Sequence, residues 1–462
     1  MKRSLLLSLC CTLAIASWFI PTPSAQARRV GINVLLNTPL TTEIVADLSA
    51  HGTVLNRYDM LNAVTMRASE DQLTAIQAKK YVITANPDAE RKGSPVDPIA
   101  ASDLADGINT WNLDAINVTD FAGSARTVAQ DGSGVYVAVL DTGLLDSWRQ
   151  YFPEQRIATQ HAIAFSGGGG EVGQVATLPN QWEHDQNSHG THVTSTILGY
   201  SLDGTPVNGV APLATVIPVK VLNQAGSGWS SVIAAGIVYV ADLARGPLAG
   251  KPVVINMSLG GSRLDAIEQA AVDYAIKSGV IIVAAAGNEG DAGMSYPGAY
   301  EPVISVAASG WTGEWTSSSW WFANDVADGT VAQDFYIADF SSREKQGQDL
   351  DVTAPGSWVV GPYQYQSGQT SYYFSGGTSM ASPHVAGIAA LMMQKDPALR
   401  QTDVERILES TAITLLPGCR DIVDPNVGQT RVCWDADATG AGLVTADAAL
   451  TAVGGGSAKR RK

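Results

Sequence analysis

Val135-Tyr136-Val137-Ala138-Val139-Leu140-Asp141-Thr142-Gly143 is the stretch that decides the fold. A continuous apolar run, rich in β-branched residues, reads as a strand buried on both faces, as in a parallel sheet. Similar runs recur at 215–222, 253–257, 280–286 and 303–307, with helical periods at 188–198, 231–243 and 264–277. That alternation predicts an α/β domain, its mostly parallel sheet covered on both faces. Ligands of such sheets bind beyond the carboxyl ends of the strands. Asp141 and Ser258 follow strand ends directly and Asn288 follows one closely, so these polar groups should converge.

Outward toward the N-terminus the grammar changes. Residues 1–27 have a basic start at Lys2 and Arg3, an apolar run and a small-x-small end at Ala25-Gln26-Ala27, the pattern of a secretory signal. Residues 30–86 read as β-α-β-β-α-β, a ferredoxin-like α+β unit of about sixty residues, just large enough to fold alone. The expected divisions are a signal at 1–27, a small domain at 28–90, a Pro-rich linker at 91–110, the α/β domain at 111–450 and a flexible basic tail at 451–462. The tryptophans of 311–335 read as an inserted flap that covers core, with a substrate-contacting aromatic rim as the alternative.

A net charge of -15 over 462 residues argues against nucleic acid as a partner. No segment beyond the signal is long and apolar enough to span a membrane. The export signal makes a Cys419–Cys433 disulfide the expectation, with two free thiols as the alternative.

Four motifs carry chemistry. In Gly376-Gly377-Thr378-Ser379-Met380-Ala381-Ser382-Pro383-His384 a turn enters an apolar helix, and Pro383 suits a first helical turn. Ser379 there is a helix cap or a nucleophile. Asp141 needs a partner as a buried acid. It could cap a helix, or be half of an aspartic-protease pair, since Asp-Thr-Gly serves there too, but no second Asp-Thr-Gly or Asp-Ser-Gly occurs in the chain and a dimer would have to supply it. His189 in Asn187-Ser188-His189-Gly190-Thr191-His192 fits a general base better than a metal ligand with His184 and His192, since no His-Glu-x-x-His is present. His384 is a rival base, expected to face away from Ser379. Asn288, in Gly287-Asn288-Glu289-Gly290, is either a turn residue or a donor to a developing oxyanion.

These four motifs, in this order, resemble those of the subtilisin-like serine proteases, the subtilase family, over residues 111–448. The resemblance implies a secreted endopeptidase of subtilisin-like three-layer fold. Ser379 would be nucleophile, His189 base, Asp141 its orienter and Asn288 the oxyanion donor. Ser258, Leu259 and Gly260 on one side, and Gly226, Ser227 and Gly228 on the other, would pair with substrate backbone. Ala285, Gly287 and Ser295 would wall a roomy, neutral pocket favouring uncharged side chains. Residues 30–86 resemble the family's propeptide, an intramolecular inhibitor cleaved off by the enzyme itself between 86 and 107. A serine esterase needs Asp and then His downstream of Ser, which this chain lacks. A dead protease relative is disfavoured by the intact catalytic identities. No cofactor is needed for the chemistry. Structural calcium is allowed by ligand-capable groups at 200–208, without assigned ligands. The mature form is expected to be monomeric, extracellular or periplasmic, and to act on polypeptides.

Overall fold

The computed structural model describes residues 28–101, 109–120, 126–169, 172–202, 204–366 and 368–454. The expected signal and nearly all of the expected tail lie outside them.

A nine-stranded sheet forms the middle layer. Its order is Phe335–Ile337, Ile304–Trp311, Ile281–Ala285, Val253–Met257, Tyr136–Asp141, Thr215–Lys220, Ile163–Gly167 and Val175–Thr177, with Val352–Pro355 beside Ile304–Trp311. Val253–Met257 and Thr215–Lys220 flank Tyr136–Asp141 in parallel, so the chain reverses its direction of travel across the sheet at that strand. Side chains alternate between two cores. Val137 and Val139 pack with the helices His189–Leu198 and Thr378–Lys395, whereas Ala138 and Leu140 pack with Ser230–Arg245 and Ala266–Lys277. Each fully buried Val or Leu contributes about 1.5–3 kcal/mol. A sheet apolar on both faces therefore has to be sandwiched, which is the three-layer arrangement expected.

The small domain has the expected β-α-β-β-α-β order, and its antiparallel sheet runs Gly52–Tyr58, Ala63–Ser69, Arg29–Leu36, Val82–Pro87. It docks on the helices Ser230–Arg245 and Ala266–Lys277 through polar groups. Asp88 Oδ1 accepts the Ser231 N–H at 3.0 Å, while Asp265 Oδ2 accepts Asn33 Nδ2 and Asn86 Nδ2 at 2.9 and 2.7 Å.

Part of the expected linker at 91–110 is strand-paired. Glu90–Lys92 forms a strand paired with Ser227–Trp229, and Val96–Ala100 one paired with Tyr372–Gly376. Prolines made the segment a poor core former by itself, but the edges that order it belong to the α/β domain. Trp320 and Trp321 are fully buried, and Trp311 stacks on Trp111, so the insertion does cover core. Cys419 and Cys433 are disulfide-bonded across the hairpin Gly418–Asp424/Gly428–Trp434.

Candidate active site

Asp141 ends its strand fully buried, and its Oδ1 is held by the Thr142 N–H at 2.7 Å. His189 opens a helix whose start lies against the same turn. A Cβ on Gly190 would fall 2.4 Å from the Gly143 carbonyl oxygen, so only glycine lets the helix approach this closely. The approach brings His189 Nδ1 to 2.8 Å from Asp141 Oδ1 and 3.0 Å from Oδ2. An imidazole held this way keeps Nδ1 as donor and leaves Nε2 as the basic nitrogen. Nε2 is buried and makes no hydrogen bond.

Ser379 lies in the first turn of Thr378–Lys395, where backbone N–H groups have no intrahelical partner. The helix begins earlier than the Pro383 argument implied, so the proline sits in its second turn. Its missing N–H frees the Ser379 carbonyl, four residues back, and the Ser258 hydroxyl donates to that carbonyl at 2.7 Å. The Ser379 hydroxyl donates in turn to the Ser258 carbonyl at 3.2 Å.

Asn288 Oδ1 accepts from the Thr378 N–H (2.9 Å) and hydroxyl (3.0 Å), which orients the side-chain amide. Its Nδ2 lies 3.6 Å from where a Cβ on Gly377 would sit, beside the Ser379 turn. His384 faces away as expected: its Nε2 meets Asn112 Nδ2 at 2.8 Å and its Nδ1 donates to the Met380 carbonyl at 2.8 Å. His192 is bound at Nε2 to the Val359 carbonyl, 3.1 Å away. Burial holds both imidazoles down at about 4.

The expected backbone-pairing edges are occupied by the chain itself. Lys92 and Gly260 exchange N–H···O bonds of 2.9 Å in both directions, and the Gly93 N–H donates to the Gly226 carbonyl at 2.9 Å. Ser227 and Gly228 face Lys92 and Arg91. Leu259 is buried under this edge. A Cβ on Gly93 would lie 2.7 Å from the Ser258 carbonyl oxygen and 3.3 Å from His189 Cε1, so the segment passes directly over the candidate catalytic groups.

The residues expected to wall a neutral pocket have an acid beside them. Ala285 ends its strand, and Gly287 and Ser295 lie side by side as expected. Glu289, however, turns its carboxylate onto them, with Oε2 accepting from the Ser295 and Ser342 hydroxyls at 3.1 Å each. The acid directly after Asn288 was visible in the sequence, but not its direction.

Among the described residues, metal-capable atoms gather in two carboxylate groups, Asp114/Asp120/Asp325 and Asp351/Glu405/Glu409, both outside 200–208. Tyr200–Leu202 and Thr205–Val207 instead form a short hairpin. Burial pushes Asp351 up to about 8 and Glu405 up to about 7. Asp351 Oδ2 is held by Ser305, whereas its Oδ1 is buried without a partner, which fits a cation there.

Residues 132–447 match the model of the subtilase family. Subtilisin Savinase from Lederbergia lenta is 35% identical over 340 residues, covering 73% of this chain and 97% of its own. Subtilisin from Bacillus sp. (strain TA39) is 34% identical over 313 residues, 65% of this chain and 66% of that one. In fold the chain is similar to fervidolysin from Fervidobacterium pennivorans, a keratinolytic enzyme related to subtilisin (24% identity, TM-score 0.63, 93% of this chain and 62% of that chain). It thus spans about two thirds of the length of these last two proteins. The chain belongs to the subtilase family of subtilisin-like serine endopeptidases.

Proposed function

We propose that the protein is a secreted serine endopeptidase, made as a precursor that processes itself. Ser379 Oγ attacks the substrate carbonyl while His189 Nε2 takes its proton, and Asp141 holds the imidazole in orientation. The Asn288 side-chain amide and the Ser379 N–H carry the charge that develops on the carbonyl oxygen. His189 then gives the proton to the leaving amine as the C–N bond breaks, and water hydrolyses the acyl-enzyme by the same route.

One observation carries this reading. Residues 90–93 are hydrogen-bonded along both edges of the cleft, at the groups that would cut them, and 96–100 are paired on the far side of Ser379. That is how a substrate strand would lie. The maturation bond then falls between Gly93 and Val96. Residues 28–90 act as the intramolecular inhibitor of a catalytic domain at 111–450. Secretion is supported by the signal pattern of 1–27 and by the disulfide, which suits an oxidising compartment. A structural calcium ion at Asp351, Glu405 and Glu409 would tie the helix Gln401–Thr411 to the sheet; it takes no part in the chemistry.

N-terminal sequencing of the secreted wild type beside its Ser379→Ala form tests the reading. Wild type should begin within residues 94–96 and Ser379→Ala should keep its small domain. Normal maturation of Ser379→Ala with no other protease present would overturn self-processing.

A further inference from the structure

The cleft holds an acid that neither the candidate catalytic groups nor the helix caps use. Glu268 sits in the first turn of Ala266–Lys277, fully buried, and faces an equally buried Arg91. Arg91 Nε lies 3.1 Å from each Glu268 carboxylate oxygen. Its Nη2 bonds the same carboxylate and donates to the Arg263 carbonyl at 2.9 Å. Asp265, one turn earlier, adds a second negative charge to Arg91's surroundings. Two parallel N–H donors on one carboxylate is a fork geometry that guanidinium fits and ammonium does not.

Arg91 is not placed there by the small domain's own fold. It belongs to the strand that runs through the cleft, where Lys92 pairs with Gly260. Counting two residues along both antiparallel strands puts Ser94 opposite Ser258, whose carbonyl takes the Ser379 hydroxyl. A substrate in this register presents its fourth residue before the cut bond where Arg91 now lies. Glu268 remains when residues 28–94 depart.

We infer that Glu268 makes this subsite selective for arginine, so that the mature enzyme prefers polypeptides carrying Arg four residues ahead of the scissile bond. The inference rests on the endopeptidase reading above. An apolar side chain would leave a buried carboxylate unpaired, a glutamate would repel it, and a lysine would meet it without the fork. The expected order is Arg, Lys, apolar, Glu.

The test uses the mature wild type and internally quenched peptides that differ only at that residue: Arg, Lys, Ala, Phe or Glu. Arg should exceed Ala and Phe in kcat/KM by at least about tenfold. In Glu268→Gln the Arg-to-Ala ratio should fall at least about tenfold, a change in selectivity that a merely structural role would not produce. Phe or Ala cleaved as fast as Arg, or an unchanged ratio in the variant, would overturn the inference while leaving the protease reading intact. No cleavage of any peptide would overturn the protease reading itself, and this one with it. Should Glu268→Gln fail to fold, the wild-type panel decides alone.

Discussion

Asp88 of the small domain caps a helix of the catalytic domain: its Oδ1 accepts the Ser231 N–H at 3.0 Å and its Oδ2 the Ser231 hydroxyl at 2.5 Å. The helix Ser230–Arg245 has no side-chain cap of its own. A carboxylate there meets both the unsatisfied first-turn donors and the positive end of the helix dipole. In a Ser379→Ala background, which should keep the precursor whole, Asp88→Ala should lower stability by about 2 kcal/mol. Urea unfolding measures it. An unchanged midpoint would mean that the contact contributes nothing to docking.

Asn288 should act on the transition state rather than on binding. Asn288→Ala is expected to lower kcat by about 10²–10³ with KM nearly unchanged, the magnitude found in subtilisin itself for loss of an oxyanion donor. Steady-state kinetics on one peptide substrate separates the two constants. A rise in KM at constant kcat would make Asn288 a binding residue instead.

His384 gives a pH signature. Burial lowers its folded value to about 4, against an ordinary value of about 6.5. The unfolded chain therefore binds the extra proton first, and the contribution of a neutral His384 is lost as pH falls from about 6.5 to about 4. Relative to His384→Gln, the wild-type chain in the Ser379→Ala background should lose about 3 kcal/mol of its advantage across that window. A pH-independent difference in unfolding free energy would contradict a buried, neutral imidazole.

Calcium should raise the Tm of the Ser379→Ala precursor by several degrees, and chelation should reverse it. Asp351→Asn should remove the response. Equal Tm with calcium and with chelator in the parent would exclude a structural ion at these carboxylates.

The large elements were legible because each carries its own period. Val137 and Val139 on one face and Ala138 and Leu140 on the other announce a strand buried on both sides, and the helices between such strands follow. The candidate catalytic residues stood out because short motifs mark them, Asp141 at a strand end and His189 and Ser379 at helix starts. The pairing of residues 90–100 was not, because a strand formed against someone else's edge has no apolar period to read. Nothing in the sequence singles out Arg91, since its partner Glu268 is 177 residues away in the chain. Glu289 was passed over because its neighbour Asn288 carried the motif, and only the fold shows that its carboxylate turns back onto Ser295.

The proposed chemistry depends above all on Ser379 being an activated nucleophile. Treating the mature enzyme with a serine-directed phosphonate and mapping the adduct by mass spectrometry tests this most directly. A single adduct on Ser379 is expected, matched by loss of peptidase activity and abolished by His189→Ala. Full activity with Ser379 unlabelled, or an adduct formed equally fast without His189, would contradict it.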